Sequence, residues 1–285
     1  MVSLFWISCA IVVYVYVGYP ALVMVWARLR PRTVPPIRSS GAPAVSIVIA
    51  ARNEGQRLAN RLDNLLQLEY AGARQIVVVS DGSTDDTLEV LARYRASIEI
   101  VPVEEGGKAV ALNAGVAHAQ HGIIVFADAR QIFATDALVE LTAPFRDARV
   151  GAVTGELLLD CESPGRRLAD RRTRVNSTGP APGADRRAGV DRRRTVESTI
   201  ADGVGLYWRY EKQIRRCESA IGSTLGATGA IYAMRRSLWV PLPAETILDD
   251  VLAPMRAVLA GYRTVFNEKA RAFDRAAPDA DADNA

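Results

Sequence analysis

Hydrophobic and polar positions fall in blocks along this chain. The first block, Val2–Ala27, contains no charged residue. As a helix it would be about 39 Å long, against ~30 Å for the hydrocarbon core of a bilayer. Trp6, Tyr19 and Trp26 stand where two interfaces would lie, and Arg28, Arg30 and Arg32 follow at once. Cations favour the cytoplasmic side, so the pattern predicts a single-pass span over 1–28 in a bacterial-type inner membrane, N-terminus out, with the remaining chain in the cytosol. A cleaved leader needs a basic segment before a short apolar core, and neither is present. A buried core helix fits less well, because the run is too long and too uniformly apolar. Pro31, Pro35, Pro36 and Pro43 make 29–44 a stiff linker.

Beyond the linker, short β-branched runs alternate with helical spacing. Val45–Ala50, Ile76–Ser80, Ile98–Val103 and Ile123–Ala127 read as buried strands. Glu54–Leu68 carries Leu58, Leu62, Leu65 and Leu66 on one helical face; Asp85–Tyr94 and Lys108–Ala119 are the next helices. Such alternation predicts a doubly wound parallel sheet, with ligands beyond the carboxyl ends of its strands. The second half is less regular. Val150–Leu159 reads as one or two strands, Ala230–Met234 as another, and Val251–Ala260 as a helix closed by Gly261. Leu206, Tyr210, Ile214, Cys217 and Ile221 share a helical face. Tyr207, Trp208, Arg209 and Lys212 beside it suit either a membrane surface or an ordinary helix with core-facing aromatics and solvated cations.

Composition alters this picture in one place. The net charge of +3 conceals ten Arg against three Asp between Gly165 and Thr195, which leaves the rest of the chain at −4. Residues 161–198 lack aromatics and apolar periodicity, and repeat Asp-Arg-Arg three times. The segment reads as a solvated loop inserted in the domain. Nucleic-acid binding would want stacking aromatics, and none is there; contact with anionic lipid remains open. Three widely spaced cysteines and two histidines exclude a disulfide framework and a His-built metal centre.

The strand ends concentrate polar residues: Ala51-Arg52-Asn53-Glu54, Ser80-Asp81-Gly82-Ser83-Thr84-Asp85 and Asp128-Ala129-Arg130. With Gly107-Lys108, Thr228-Gly229-Ala230 and Asp249-Asp250, this ordered set resembles the family 2 glycosyltransferases of the GT-A fold, in their membrane-bound, polysaccharide-synthase-like branch. The resemblance runs from about Val45 to Arg275. It implies a mixed, mainly parallel α/β sheet with flanking helices over 45–275, preceded by one transmembrane helix. It also implies an inverting hexosyl- or N-acetylhexosaminyl-transferase using a nucleotide-diphosphate sugar, with a glycan or lipid-linked acceptor and no nucleic acid.

In that reading Ala51, Arg52, Glu54, Asp81, Lys108, Asp128 and Arg130 contact the nucleotide-sugar. Asn53 and Glu54 would otherwise cap the following helix. Asp81 is expected to be free to accept hydrogen bonds from base or ribose, since Ser83 or Thr84 can cap the next helix. Gly106-Gly107-Lys108 lets backbone approach phosphates and adds a cation, without the spacing of a Walker loop. A hard cation, Mg²⁺ or Mn²⁺, wants carboxylate oxygens such as Asp128. The family's motif is Asp-x-Asp, and here Arg130 replaces the second acid. Either Arg130 stabilises the diphosphate directly, or Asp128 holds the metal with water and phosphate oxygens. The resemblance places the general base at Asp250, with Asp249 beside it. Adjacent carboxylates among Ile247, Leu248, Val251 and Leu252 would raise one pKa, whereas a helix dipole alone would need one acid. Thr228 and Gly229 form an acceptor-side turn.

The branch continues into a Gln-x-x-Arg-Trp motif and further membrane helices, and neither is found here. The chain therefore reads as C-terminally truncated, with a polar, disordered tail over 276–285. A catalytically impaired nucleotide-sugar-binding subunit is the alternative. A nucleotide-dependent oxidoreductase is disfavoured, because no GxGxxG follows the first strand.

Overall fold

The apolar runs around Val45, Ile76 and Ile123 become neighbouring strands of one eight-stranded sheet. The computed structural model describes residues 2–32, 41–160 and 208–275. Its strands are β1 (Val45–Ala51), β2 (Arg74–Asp81), β3 (Glu99–Val103), β4 (Ile123–Ala127), β5 (Ile132–Phe133), β6 (Val150–Asp160), β7 (Ile231–Arg235) and β8 (Arg263–Arg275), in the order β3-β2-β1-β4-β7-β6-β8-β5. Its helices are α1 (Val2–Leu29), α2 (Gly55–Leu66), α3 (Thr87–Arg93), α4 (Lys108–His118), α5 (Ala137–Thr142), α6 (208–221) and α7 (Asp249–Leu259).

The sheet is mixed. β1 pairs in parallel with β2 and β4, and β2 with β3. From β4 onward the partners turn over: β4–β7, β6–β7 and β5–β8 are antiparallel. In the parallel half, alternate residues serve two cores. Ile47, Ile49, Ile76, Val78 and Val125 face Leu58, Leu62 and Leu65 of α2. Val48, Val77, Val79 and Ile124 face Ala111, Leu112 and Val116 of α4. Covering both faces explains why these strands are continuously apolar rather than alternating. Each such aliphatic side chain contributes roughly 1.5–3 kcal/mol on burial, and truncating Leu62, fully buried, to Ala would cost about 2–5 kcal/mol.

α1 is continuous over 28 residues, apart from a π-turn at Tyr14–Gly18. That turn precedes Pro20, whose ring would clash with the carbonyl four residues back; widening the helix relieves this. Val2–Val17 is exposed except for part-buried Cys9, whereas Pro20 and Val23 are buried. Tyr19 Oη donates to Glu218 Oε1 on α6 at 2.6 Å, and Arg32 N–H to Ala220 O at 2.6 Å.

Among the described residues, those up to Leu159 and from Ile214 to Arg275 form one compact unit. On the anticipated face of α6, Cys217 is buried but Tyr210 is 36 % exposed. The expectations for the Arg-rich loop at 161–198, Leu206, Tyr207, linker residues 33–40 and the tail at 276–285 lie outside the described residues. Val150–Asp160 is one strand. α7 starts at Asp249, two residues earlier than expected, because the acid pair forms its first turn. α5 and β8 were not anticipated: α5 has only six residues, too few for periodicity to register.

Candidate active site

Lys108 is the first residue of α4 and lies at the carboxyl edge of the parallel strands. Its Nζ is 3.2 Å from Asp249 Oδ1 and 3.5 Å from Asp128 Oδ1. One cation thus joins an acid after β4 to an acid opening α7, 121 positions apart in sequence. Burial draws the Lys108 ammonium down, but Asp128, Asp249 and Asp250 outweigh it and the net shift is upward. Asp249 is buried, with 5 % of its side chain exposed.

Asp250 points the other way along the turn. Its Oδ2 accepts the Gly229 N–H at 3.0 Å, and its backbone carbonyl accepts Ala227 N–H at 2.8 Å. Burial first, then the neighbouring Asp249 charge, raises its pKa; Lys108 and the Gly229 amide oppose this. A Cβ on Gly229 would sit 3.0 Å from that same oxygen, so a larger residue there would have to displace the carboxylate by a few tenths of an ångström. The turn is pinned from two sides: Thr228 N–H donates to Thr154 Oγ1, and Arg215 Nη1 donates to Thr228 Oγ1, both at 2.8 Å.

Asp81 departs from expectation. Its carboxylate is not free, because Oδ1 accepts Gly106 N–H at 2.7 Å and Oδ2 accepts Gly107 N–H at 3.0 Å. β2 pairs with β3, so the end of one strand meets the loop that leaves the other. Gly107 has φ 84°, a left-handed value that lets consecutive amides turn toward one carboxylate. Asp81 is 4 % exposed and fixes the loop from which Lys108 springs. The capping expectation also changes. α3 begins at Thr87 without a side-chain cap; Ser83 Oγ instead accepts Asn53 N–H at 3.3 Å, and Asn53 Oδ1 accepts Thr84 N–H at 2.9 Å. Asp85 and Thr87 reach across to the amides of Gly55 and Glu54 at the start of α2. Asn53 and Glu54 therefore do not cap α2 with their own side chains.

A cavity of about 420 Å³ opens over these residues, lined by Ala51, Asp81, Lys108, Asp128 and Arg130 among others. Arg52 and Glu54 also reach it; Arg52 is paired with Glu105 at 2.6 Å, and Arg130 is exposed. A larger cleft of about 710 Å³ lies by Arg57, Asp86 and Arg93, away from the Lys108 cluster. The smaller cavity is the candidate site, since it holds the convergent charges at the strand ends. Of the expected residues, it gathers the nucleotide-sugar set; Lys108 ties in Asp249, and Gly229, next to Thr228, meets Asp250.

Three residues escaped the sequence. Tyr232 is fully buried, stacked on Phe126 at 4.6 Å, and its hydroxyl has no hydrogen-bond partner among the described residues. Burial, then the charges of Asp249, Asp250 and Asp128, push its pKa well up. Arg61 is fully buried 3.9 Å over the Phe133 ring, and burial lowers its pKa to about 9 despite Asp128. Arg215 holds Thr228. None has a motif; only the packing reveals them.

The glycosyl transferase family 2 model matches residues 46–214. The poly-β-1,6-N-acetyl-D-glucosamine synthase of Staphylococcus aureus is 31% identical over 125 residues, covering 42% of this chain and 30% of that protein. The synthase of Staphylococcus epidermidis is 31% identical over 115 residues, 39% and 28% respectively. The chain thus spans less than a third of the curated relatives it matches. Among solved structures, the mannosyltransferase PcManGT of Pyrobaculum calidifontis, in complex with GDP-Man and Mn²⁺, aligns at TM-score 0.67 with 23% identity, over 94% of this chain and 67% of that one. TarS 1–349 of S. aureus, in complex with UDP-GlcNAc, aligns at TM-score 0.52 with 16% identity, over 85% and 61%. At those identities the two structures speak for the fold alone. On the family match, the chain belongs to glycosyl transferase family 2.

Proposed function

We propose that this protein is an inverting glycosyltransferase that moves a hexosyl or N-acetylhexosaminyl group from a nucleotide-diphosphate sugar to a glycan or lipid-linked acceptor. The carrying observation is the Lys108 bridge: Lys108 and Asp128 line the cavity, and Lys108 also holds Asp249, the neighbour of Asp250. The UDP-GlcNAc and GDP-Man of the solved neighbours and the synthase name of the curated relatives support that donor class.

In this reading the donor's nucleotide lies along Ala51, Arg52, Glu54 and Asp81, with its diphosphate toward Lys108, Asp128 and Arg130. Asp250 takes the proton of the acceptor hydroxyl as its oxygen bonds to the anomeric carbon. The bond from that carbon to the diphosphate breaks on the opposite face, and its electron pair leaves with the nucleoside diphosphate. A base with a raised pKa suits this step, and the Gly229 amide fixes the carboxylate's direction. Thr228 and Gly229 leave room for the acceptor. Asp249 is held by Lys108 beside Asp250. A divalent cation, Mg²⁺ or Mn²⁺, fits a site with one half-buried carboxylate, because such ions take one or two carboxylates plus substrate phosphates. Asp128 would hold it, and it would neutralise charge on the diphosphate.

Residues 1–28 anchor the chain, 29–44 link, 45–275 form the catalytic domain around the insertion at 161–198, and 276–285 is a tail. The arginines after the apolar helix orient the domain to the cytosol. Arg130, in place of a second acid, favours a second reading, a catalytically impaired donor-binding subunit. Asp250→Asn separates the two. Transfer from radiolabelled nucleotide-sugars should fall by ~10²–10⁴-fold while donor thermal shifts, with and without Mn²⁺, persist. Donor binding without turnover in either form would establish the second reading, and neither binding nor turnover with any donor would sink both.

A further inference from the structure

α7 is amphipathic in an unusual sense: its apolar stripe faces outward. Ala253, Pro254 and Ala257 are the buried side. On the opposite side Leu248 is 61 % exposed, Met255 36 % and Leu259 82 %, with Leu252, which is part-buried and also packs against the core, between them. At 100° per residue those four fall within about 60° of one another. The helix's charges lie off this stripe: Asp249 toward Lys108, Asp250 toward Gly229, and Arg256 donating to Val240 O and Pro241 O. Ile247, 89 % exposed, extends the stripe beyond Leu248, and Leu225 at 69 % lies in the loop that meets Asp250. A helix in water presents polar residues on its open face; a contiguous apolar stripe marks a surface that is covered in use.

The chain itself indicates what covers it. Arg263, four residues after Leu259, is 7 % exposed, and its guanidinium donates to Gly222 O, Ser219 O and Arg32 O. Four residues reach at most about 14 Å, so the end of the stripe lies close to the foot of the anchor. Three hydrogen bonds, Tyr19–Glu218, Arg32–Ala220 and Arg263–Arg32, tie that foot to α6 and β8. Arg28, Arg30 and Arg32 are exposed there, where a bilayer's anionic headgroups would lie.

We infer that the outward face of α7 rests in the bilayer surface, so that the Asp250 side of the site opens at headgroup depth and takes acceptors held by a lipid. This rests on the anchored-transferase reading and narrows its acceptor to lipid-embedded ones. The occupant is lipid rather than a second copy of the chain, because the anchor, tied in this way, brings this face to the membrane in a single chain.

The test uses the full chain in phosphatidylethanolamine–phosphatidylglycerol nanodiscs, with Cys9→Ser and Cys161→Ser and buried Cys217 retained. An environment-sensitive fluorophore is placed singly at Met255, Leu259, Val12 of α1, or exposed Leu88 of α3. Doxyl lipids quench from the membrane and iodide from water. Labels at 255 and 259 should show at least ~2-fold more lipid quenching than at 88. If the label at 12 is lipid-quenched while those at 255 and 259 answer only to iodide, the anchor stands and this inference falls. If 255 and 259 are shielded from both quenchers, protein covers the face and the inference again falls. If the label at 12 escapes the lipid quencher, the anchor reading fails and takes this one with it.

Discussion

Replacing Lys108 with Met removes the one cation that Asp128 and Asp249 share. The methionine keeps the stem packed on the start of α4 and deletes only the charge. At 3.2 Å, full charges would interact by about 5 kcal/mol at an effective dielectric of 20 and about 1.3 kcal/mol in water. Lys108's side chain is 45 % exposed, so the screened end of that range applies, ~1–2 kcal/mol. Asp249 is nearly buried and would be left unpaired, so stability should drop by about 1–3 kcal/mol. The same loss of positive charge beside a departing diphosphate should slow transfer about 10–30-fold. The pH profile is the sharper readout. A general base works deprotonated, so transfer falls as pH drops through the Asp250 pKa. Burial and Asp249 hold that pKa up while Lys108 pulls it down. Without Lys108 the acid limb should therefore move to higher pH, and Lys108→Arg should move it back. The assay is nucleoside-diphosphate release against pH at saturating donor. An unmoved acid limb with a rate within about twofold of wild type would refute the coupling, because removing ~1–2 kcal/mol must register by ~10-fold in one or the other.

Gly229→Ala should cut kcat at least ~10-fold with folding intact, since its Cβ meets the Asp250 carboxylate; thermal melting checks the fold and single-turnover transfer the rate. Tyr232→Phe removes a buried hydroxyl without a partner and keeps the stack on Phe126, so the ligand-free protein should gain ~1 kcal/mol in denaturant titration. Asp147→Asn should lower Tm at pH 7. The Arg149 guanidinium and amide hold the Asp147 carboxyl at about 2, below its unfolded value, so the pair's stabilisation is present above the unfolded value and lost as pH falls through about 2. Melting curves at pH 7 and near pH 2 should show the gap between wild type and variant closing.

Much of this was legible in the sequence because it is local. β1, β2 and β4 declare themselves as β-branched runs buried on both faces, α2 by its leucine spacing, and α1 by length and absence of charge. The candidate chemistry was legible too, since acids at strand ends fall where an α/β sheet concentrates its ligand site. What depends on pairing was not. β8 sits between β6 and β5, and its sequence carries Arg, Asn, Glu and Lys at positions a period-2 reading would leave ambiguous.

The site divides along the same line. The sequence by itself determined which residues carry charge at which strand ends, and it named Asp81, Lys108, Asp128 and Asp250. Only the tertiary structure decided their partners. Asp81 holds the Gly106–Gly107 amides rather than standing free, because parallel pairing of β2 and β3 brings that loop to it. Lys108 bridges Asp128 and Asp249 because antiparallel β7, entering beside β4, brings the start of α7 over the ends of the parallel strands. Sequence spacing fixes which side chains lie near one another along the chain; contacts between positions more than a hundred residues apart are fixed by strand order, which no local pattern encodes.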